Sequence, residues 1–170
     1  MPLDLRLRCV RSFILASYDC MTCRIPIKIP DEEHIARAIR VPEHYDKRKN
    51  KIKPAAFRPA PEKDDLSVMR IDHMGADSCK AKAKQIHNDS YIGFAAISAG
   101  EIRSAKGRIV DSRGFQFCGH AHIEQGMPAP KRGASTPPEL QVKYKELADK
   151  ARPYIDPDPT EKKWTGPRII

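Results

Sequence analysis

The stretch Phe115-Gln116-Phe117-Cys118-Gly119-His120-Ala121-His122-Ile123-Glu124 alternates with a period of two. As a β-strand it sends Phe115, Phe117, Gly119, Ala121 and Ile123 one way, and Gln116, Cys118, His120, His122 and Glu124 the other. Nowhere else in the sequence do a thiol, two imidazoles and a carboxylate fall in register. The segment therefore predicts a sheet and marks a candidate site together.

Working outward, residues 91–97 form an apolar run short enough to be a buried central strand, and residues 66–71 are a compact strand candidate followed by the turn residue Gly75. Gly100, Gly107 and Gly114 punctuate two short pieces, 101–104 and 108–112. Ile25, Ile27 and Ile29 alternate with Pro26, Lys28 and Pro30, which predicts extended chain that its prolines confine to a sheet edge.

Helical signals are equally local. Asp31 as N-cap, Glu32 and Glu33 in the first turn and a stripe of Ile35, Ala38 and Ile39 predict a helix over 31–40, with Arg37 and Arg40 towards its end and Pro42 stopping it. Cys79, Ala83 and Ile86 predict a second over 77–87. Thr136-Pro137-Pro138-Glu139 reads as a capping box opening a third, whose stripe of Leu140, Tyr144, Leu147, Ala148 and Ala151 runs to Pro153. The expected class is α+β: a small, mostly antiparallel or mixed sheet of about four to five strands with about three helices and an extended Pro-rich tail. Residues 1–24, which lack a sustained period, are set apart as an N-terminal appendage with Met21 as a candidate start. Residues 25–153 make a single α+β domain, and 154–170 an extended C-terminal tail that Trp164 pins to the body.

The chain has 170 residues, 40% of them hydrophobic and 6% aromatic, which fits one domain with a modest core. Lys and Arg number 31 against 22 Asp and Glu, and the net charge of +9 predicts long-range attraction towards polyanions. No stretch nears the roughly 20 apolar residues that cross a bilayer. The apolar run 13–16 behind Arg6, Arg8 and Arg11 is too short for a secretory signal. Cys9, Cys20, Cys23, Cys79 and Cys118 are an odd, scattered set, so reduced thiols and a cytoplasmic location are expected.

Two chemistries fit the opening strand. Alternate side chains sit about 6.5–7 Å apart along a strand, close enough for His120 and His122 to share one ion, zinc or iron, with Cys118 or Glu124 as a further ligand. Asp72 and His73 are candidates to complete that shell. Without a metal, His73, His120 and His122 with Arg113, Arg70 or Arg103 supply the base, acid and cation that cleave a phosphodiester through an internal 2′-hydroxyl. The plain alternative gives these histidines only a core hydrogen bond or a place in solvent. Cys20 and Cys23 have the spacing of half a zinc knuckle but lack a second ligand pair. No Walker or dinucleotide loop and no serine elbow is present.

The basic segment 44–61 carries Lys47, Arg48, Lys49, Lys51, Lys53 and Arg58 against Asp46 alone, and with Arg103 and Arg108 it supplies the candidate polyanion contacts. Tyr45 and Phe57 are its nearby rings, a thin basis for base stacking. The expected function is a basic cytoplasmic protein that binds nucleic acid or another polyanion as an accessory component of a larger assembly. Two alternatives stay open. One is a small phosphodiesterase, ribonuclease or metal-dependent hydrolase on the His120 and His122 strand, and the other is a structural adaptor whose basic loop meets an acidic protein.

Overall fold

The computed structural model describes residues 23–113 and 117–169. Along them the chain forms β1 (His34–Arg40), β2 (Tyr45–Asp46), β3 (Lys51–Ile52), β4 (Asp65–Arg70), α1 (Ile71–His87), β5 (Tyr91–Ser98), α2 (Ala99–Ser104), β6 (Arg108–Asp111), β7 (His120–Glu124), α3 (Pro138–Lys150) and β8 (Arg152–Ile155). The α+β expectation is borne out, with six strands in the main sheet in the order β6-β7-β4-β1-β5-β8. Every pairing is antiparallel, and β2 and β3 make a separate hairpin.

Residues 31–40 are not the expected helix, because 34–40 form the inner strand β1. Its Ile35 and Ile39 join the core on one face of the sheet, and Ala36 and Ala38 join the core on the other. An inner strand covered on both faces shows no alternation of apolar and polar residues, and Ile35 and Ile39 four apart imitate a helical stripe.

One face of the sheet packs Leu66, Val68, Ile97 and Ile123 against Leu147 and Ala148 of α3, Ile102 of α2 and Phe57 below the hairpin. The opposite face packs Met69, Phe94 and Ala96 against Cys79 and Ala83 of α1. That helix starts earlier than its stripe predicts, and Gly75, at φ +73°, breaks its regularity after the first turn. Thr136 does not cap α3, which opens after Pro137. A capping box forms instead on α2, where Glu101 N donates to Ser98 Oγ at 3.2 Å and Ser98 N donates to Glu101 Oε2 at 3.0 Å.

At the sheet's outer edge β8 carries Pro153, a position where a missing N–H breaks no inner ladder. Beyond it the tail lies on α1, with Trp164 N donating to Asp77 Oδ1 at 2.7 Å and the indole 5.6 Å from the Phe94 ring. Residues 25–30 do not pair as an edge strand; their carbonyls take side-chain donors, Pro26 and Lys28 from Arg70 and Ile29 from Arg103. No helix among the described residues is long and apolar enough to cross a membrane.

Candidate functional site

The alternation of the opening stretch holds over β7. His120 and His122 share a face with ring centroids 4.7 Å apart, while Ala121 and Ile123 enter the core on the other side. Cys118 precedes the strand in a turn with Gly119, whose φ is +90°, and is bonded to Cys23 across 95 residues. Its sulfur is therefore not a thiolate for zinc, and the expectation of reduced thiols is corrected at these two cysteines. Cys20, Phe115 and Gln116 lie outside the described residues. Among those described, no group of three His, Cys, Asp or Glu side chains is placed to hold a metal ion.

The four expected catalytic residues divide between two networks. His120 is 1% exposed, with Nδ1 2.8 Å from Ser112 Oγ. Burial pushes this imidazole down to about 4, and neighbouring His122 adds to the effect against Ser112, Asp111 and Asp65. His122 Nε2 lies 3.5 Å from Asp65 Oδ2. His73 and Arg113 belong elsewhere, to the carboxylates around buried Arg70. Glu33 receives Arg70 in a fork at 2.6 and 2.7 Å and also lies 3.4 Å from His73 Nε2. Asp111 receives Arg70 at 2.7 Å and both arms of Arg113 at 2.8 Å. Burial works against the Arg70 charge, but Glu33 and Asp111 more than offset it and hold the guanidinium cationic. This network ties the 23–33 segment to β4 and β6, with Arg113 Nη1 also donating to Cys23 O at 3.3 Å.

The expected polyanion residues separate in the same way. Arg103 pairs with Asp31, and Arg108 pairs with Glu124 at 2.6 Å. Lys53 Nζ donates to Pro42 O at 2.8 Å. Lys47, Arg48, Lys49 and Lys51 are exposed on the β2–β3 hairpin. Asp46 Oδ1 accepts from Arg48 N and Lys49 N at 3.0 and 3.2 Å, and Tyr45 Oη donates to Asn50 Oδ1 at 2.6 Å, so the turn that presents these cations is held from within.

A second concentration of positive charge lies at the base of that hairpin. A cavity of about 550 Å³ is lined by Arg37 and Arg40 of β1, His44 of the β1–β2 turn, Arg58, His87 at the end of α1 and Arg132 of the β7–α3 loop. Glu43 is the one carboxylate in its wall, 3.5 Å from Arg40 Nε. The turn is fixed by backbone bonds, His44 N donating to Arg40 O at 3.0 Å and Lys53 N to His44 O at 2.9 Å. Arg37 Nη1 donates to Ser67 O at 2.8 Å, but Arg37 Nε and His44 Nδ1 are shut off from solvent without a hydrogen-bond partner among the described residues.

These groups depress one another. Burial, then Arg40, brings Arg37 down to about 10. Burial, then Arg37, Arg40 and His87, brings His44 down to about 3, and His87 is lowered by burial and the same two arginines. Cations gathered with so little counter-charge create a site where an anion gains both Coulomb energy and unfilled donors.

Of this set, the sequence marked only Arg58. Arg37 and Arg40 read as the end of a helix, and His44, His87 and Arg132 come from segments that only the folded sheet brings together. A faint signal was available: an arginine between Ala36 and Ala38, inside a run of residues that bury both ways. No family model matches the chain, and no curated protein or solved structure is significantly similar to it.

Proposed function

We propose that this protein binds a phosphate-bearing polyanion, nucleic acid first among them, through the Arg37–His44 cavity and the cationic hairpin tip beside it. The observation that carries this reading is the cavity wall itself: four arginines and two histidines meet one carboxylate there. Phosphate is one of the anions that arginine forks bind bidentately. The hairpin cations Lys47, Arg48, Lys49 and Lys51 extend the same positive surface outward, where a flexible backbone releases counterions as it docks. A role as an accessory member of a larger assembly belongs to the same proposal.

Anisotropy with labelled single- and double-stranded RNA and DNA, titrated at several salt concentrations, tests it. The expected result is binding whose affinity falls steadily as salt rises, and which weakens when Arg58 and Arg132 are both changed to Gln. Absence of binding at low salt, or affinity indifferent to salt, defeats the reading. The same samples run on a denaturing gel report whether the strand is cut.

A further inference from the structure

Exposure in the cavity is graded. At its floor, His44 is 5% exposed. Its Nδ1, Arg37 Nε and Arg40 Nε are atoms without a hydrogen-bond partner among the described residues. At its mouth, Arg58 and Arg132 are exposed, and the exposed hairpin cations follow His44 along the chain. A ligand that fills this shape must deliver its charge inward and leave its uncharged or singly charged remainder at the rim.

We infer that the cavity receives the terminal phosphate monoester of a single-stranded nucleic acid, end-on, while the following backbone phosphates meet the exposed arginines and the hairpin lysines. This rests on the polyanion reading above and narrows it to one ligand chemistry. An internal phosphodiester carries a sugar on both sides and one charge, so its phosphate reaches a recessed floor only if both sugars enter with it. A terminal monoester has one substituent, three free acceptor oxygens and close to two charges at neutral pH. Once small side-chain shifts open Arg37 Nε and His44 Nδ1 to the cavity, with His44 as its Nδ1–H tautomer, the three oxygens can accept from both and still serve Arg40 and His87. The cavity volume lies in the range that holds a small ligand, on the order of 300–1,000 Å³, which suits one terminal nucleotide rather than the blunt end of a duplex. His44 supports the assignment chemically, because an imidazole kept neutral among arginines adds no further repulsion to the empty site and still has a ring nitrogen to hydrogen-bond with.

The test compares one RNA sequence of roughly twelve nucleotides in three forms: 5′-phosphorylated, 3′-phosphorylated and with hydroxyls at both ends. One phosphorylated form is expected to bind about tenfold or more tighter than the hydroxyl-ended strand. Which end wins identifies the polarity of the bound strand. Inorganic phosphate at millimolar concentration should erase that advantage without displacing the hydroxyl-ended strand to the same degree.

His44→Gln and Arg37→Met should abolish the preference. Lys47, Arg48 and Lys49 changed together to Ser, at an exposed turn, should weaken all three strands alike and leave the ratio intact. If all three forms bind with equal, salt-dependent affinity, the end-on assignment is overturned and the polyanion reading survives; if none binds, both fall. A preference that persists in folded His44→Gln and Arg37→Met variants also overturns the assignment, because the end is then read elsewhere.

Discussion

Lys80 Nζ lies 2.8 Å from Asp156 Oδ2, with both side chains fully buried between α1 and the chain that follows β8. The same ammonium donates to Asp158 O at 2.7 Å and Lys163 O at 2.8 Å, so two tail carbonyls accept from it while Asp156 supplies the countercharge. A charge holds the tail in place where an apolar helix face would ordinarily serve.

Removing only the cation leaves the Asp156 carboxylate buried without its countercharge, with Asp158 N still donating to its Oδ1. Lys80→Met is expected to cost about 3–5 kcal/mol in urea unfolding and to expose the segment after residue 156 to limited proteolysis. Adding Asp156→Asn should recover part of the loss. Unchanged stability in the single variant would show that the pair contributes nothing.

Gly93 controls the adjacent edge. Its φ is +147°, and a Cβ there would stand 2.1 Å from the backbone oxygen of Tyr154 in β8. Gly93→Ala should destabilise the protein by about 1–3 kcal/mol and speed amide exchange in β8 before β4 or β1 is affected. Equal exchange rates in β8 of variant and parent would refute this.

The Cys23–Cys118 bond closes a loop of 95 residues. In the chain-entropy model, a loop of that length contributes about 4–5 kcal/mol by restricting the unfolded chain. Reduction, or Cys118→Ser, should lower the melting temperature clearly, and a melting curve indifferent to reductant would count against the bond. Buried Cys79, pushed up to about 12 by desolvation, should resist alkylation in the folded protein.

Two buried histidines predict how stability follows pH. His44 is brought down to about 3 and His120 to about 4, in both cases chiefly by burial, against an ordinary value near 6.5 when unfolded. Above that value the rings are neutral in both states and contribute no slope. As pH falls below it, the unfolded chain takes up protons that the folded protein refuses, so stability declines, by at most about 1.4 kcal/mol per pH unit for each ring. Urea midpoints should be level near neutrality and fall towards pH 5, with the fall reduced in His44→Gln and in His120→Gln. Level midpoints in the parent protein would remove the basis for both assignments.

Ligand should act on His44 with the opposite sign. A bound anion offsets Arg37 and Arg40, so the His44 ring should titrate at higher pH when phosphate is present, as followed by NMR of its ring protons. His120, outside the cavity lining, serves as the internal reference. Equal displacement of the two rings would speak against a local anion.

The features readable from the sequence are those that local chemistry alone determines. The period of two over His120–Glu124, the apolar run of β5 and the stripe of Leu140, Tyr144 and Leu147 each state how one segment must meet a core, whatever that core is. The charge excess was likewise legible, without saying where it would gather. Strand β1 was hidden because burial on two faces is a property of the elements packed on both sides of the sheet, not of its own pattern. The Arg37–His44 cavity and the Cys23–Cys118 bond were hidden for the same reason. Residues far apart along the chain become neighbours only after the antiparallel sheet has set their register, and no local rule counts charges across strands that have not yet met.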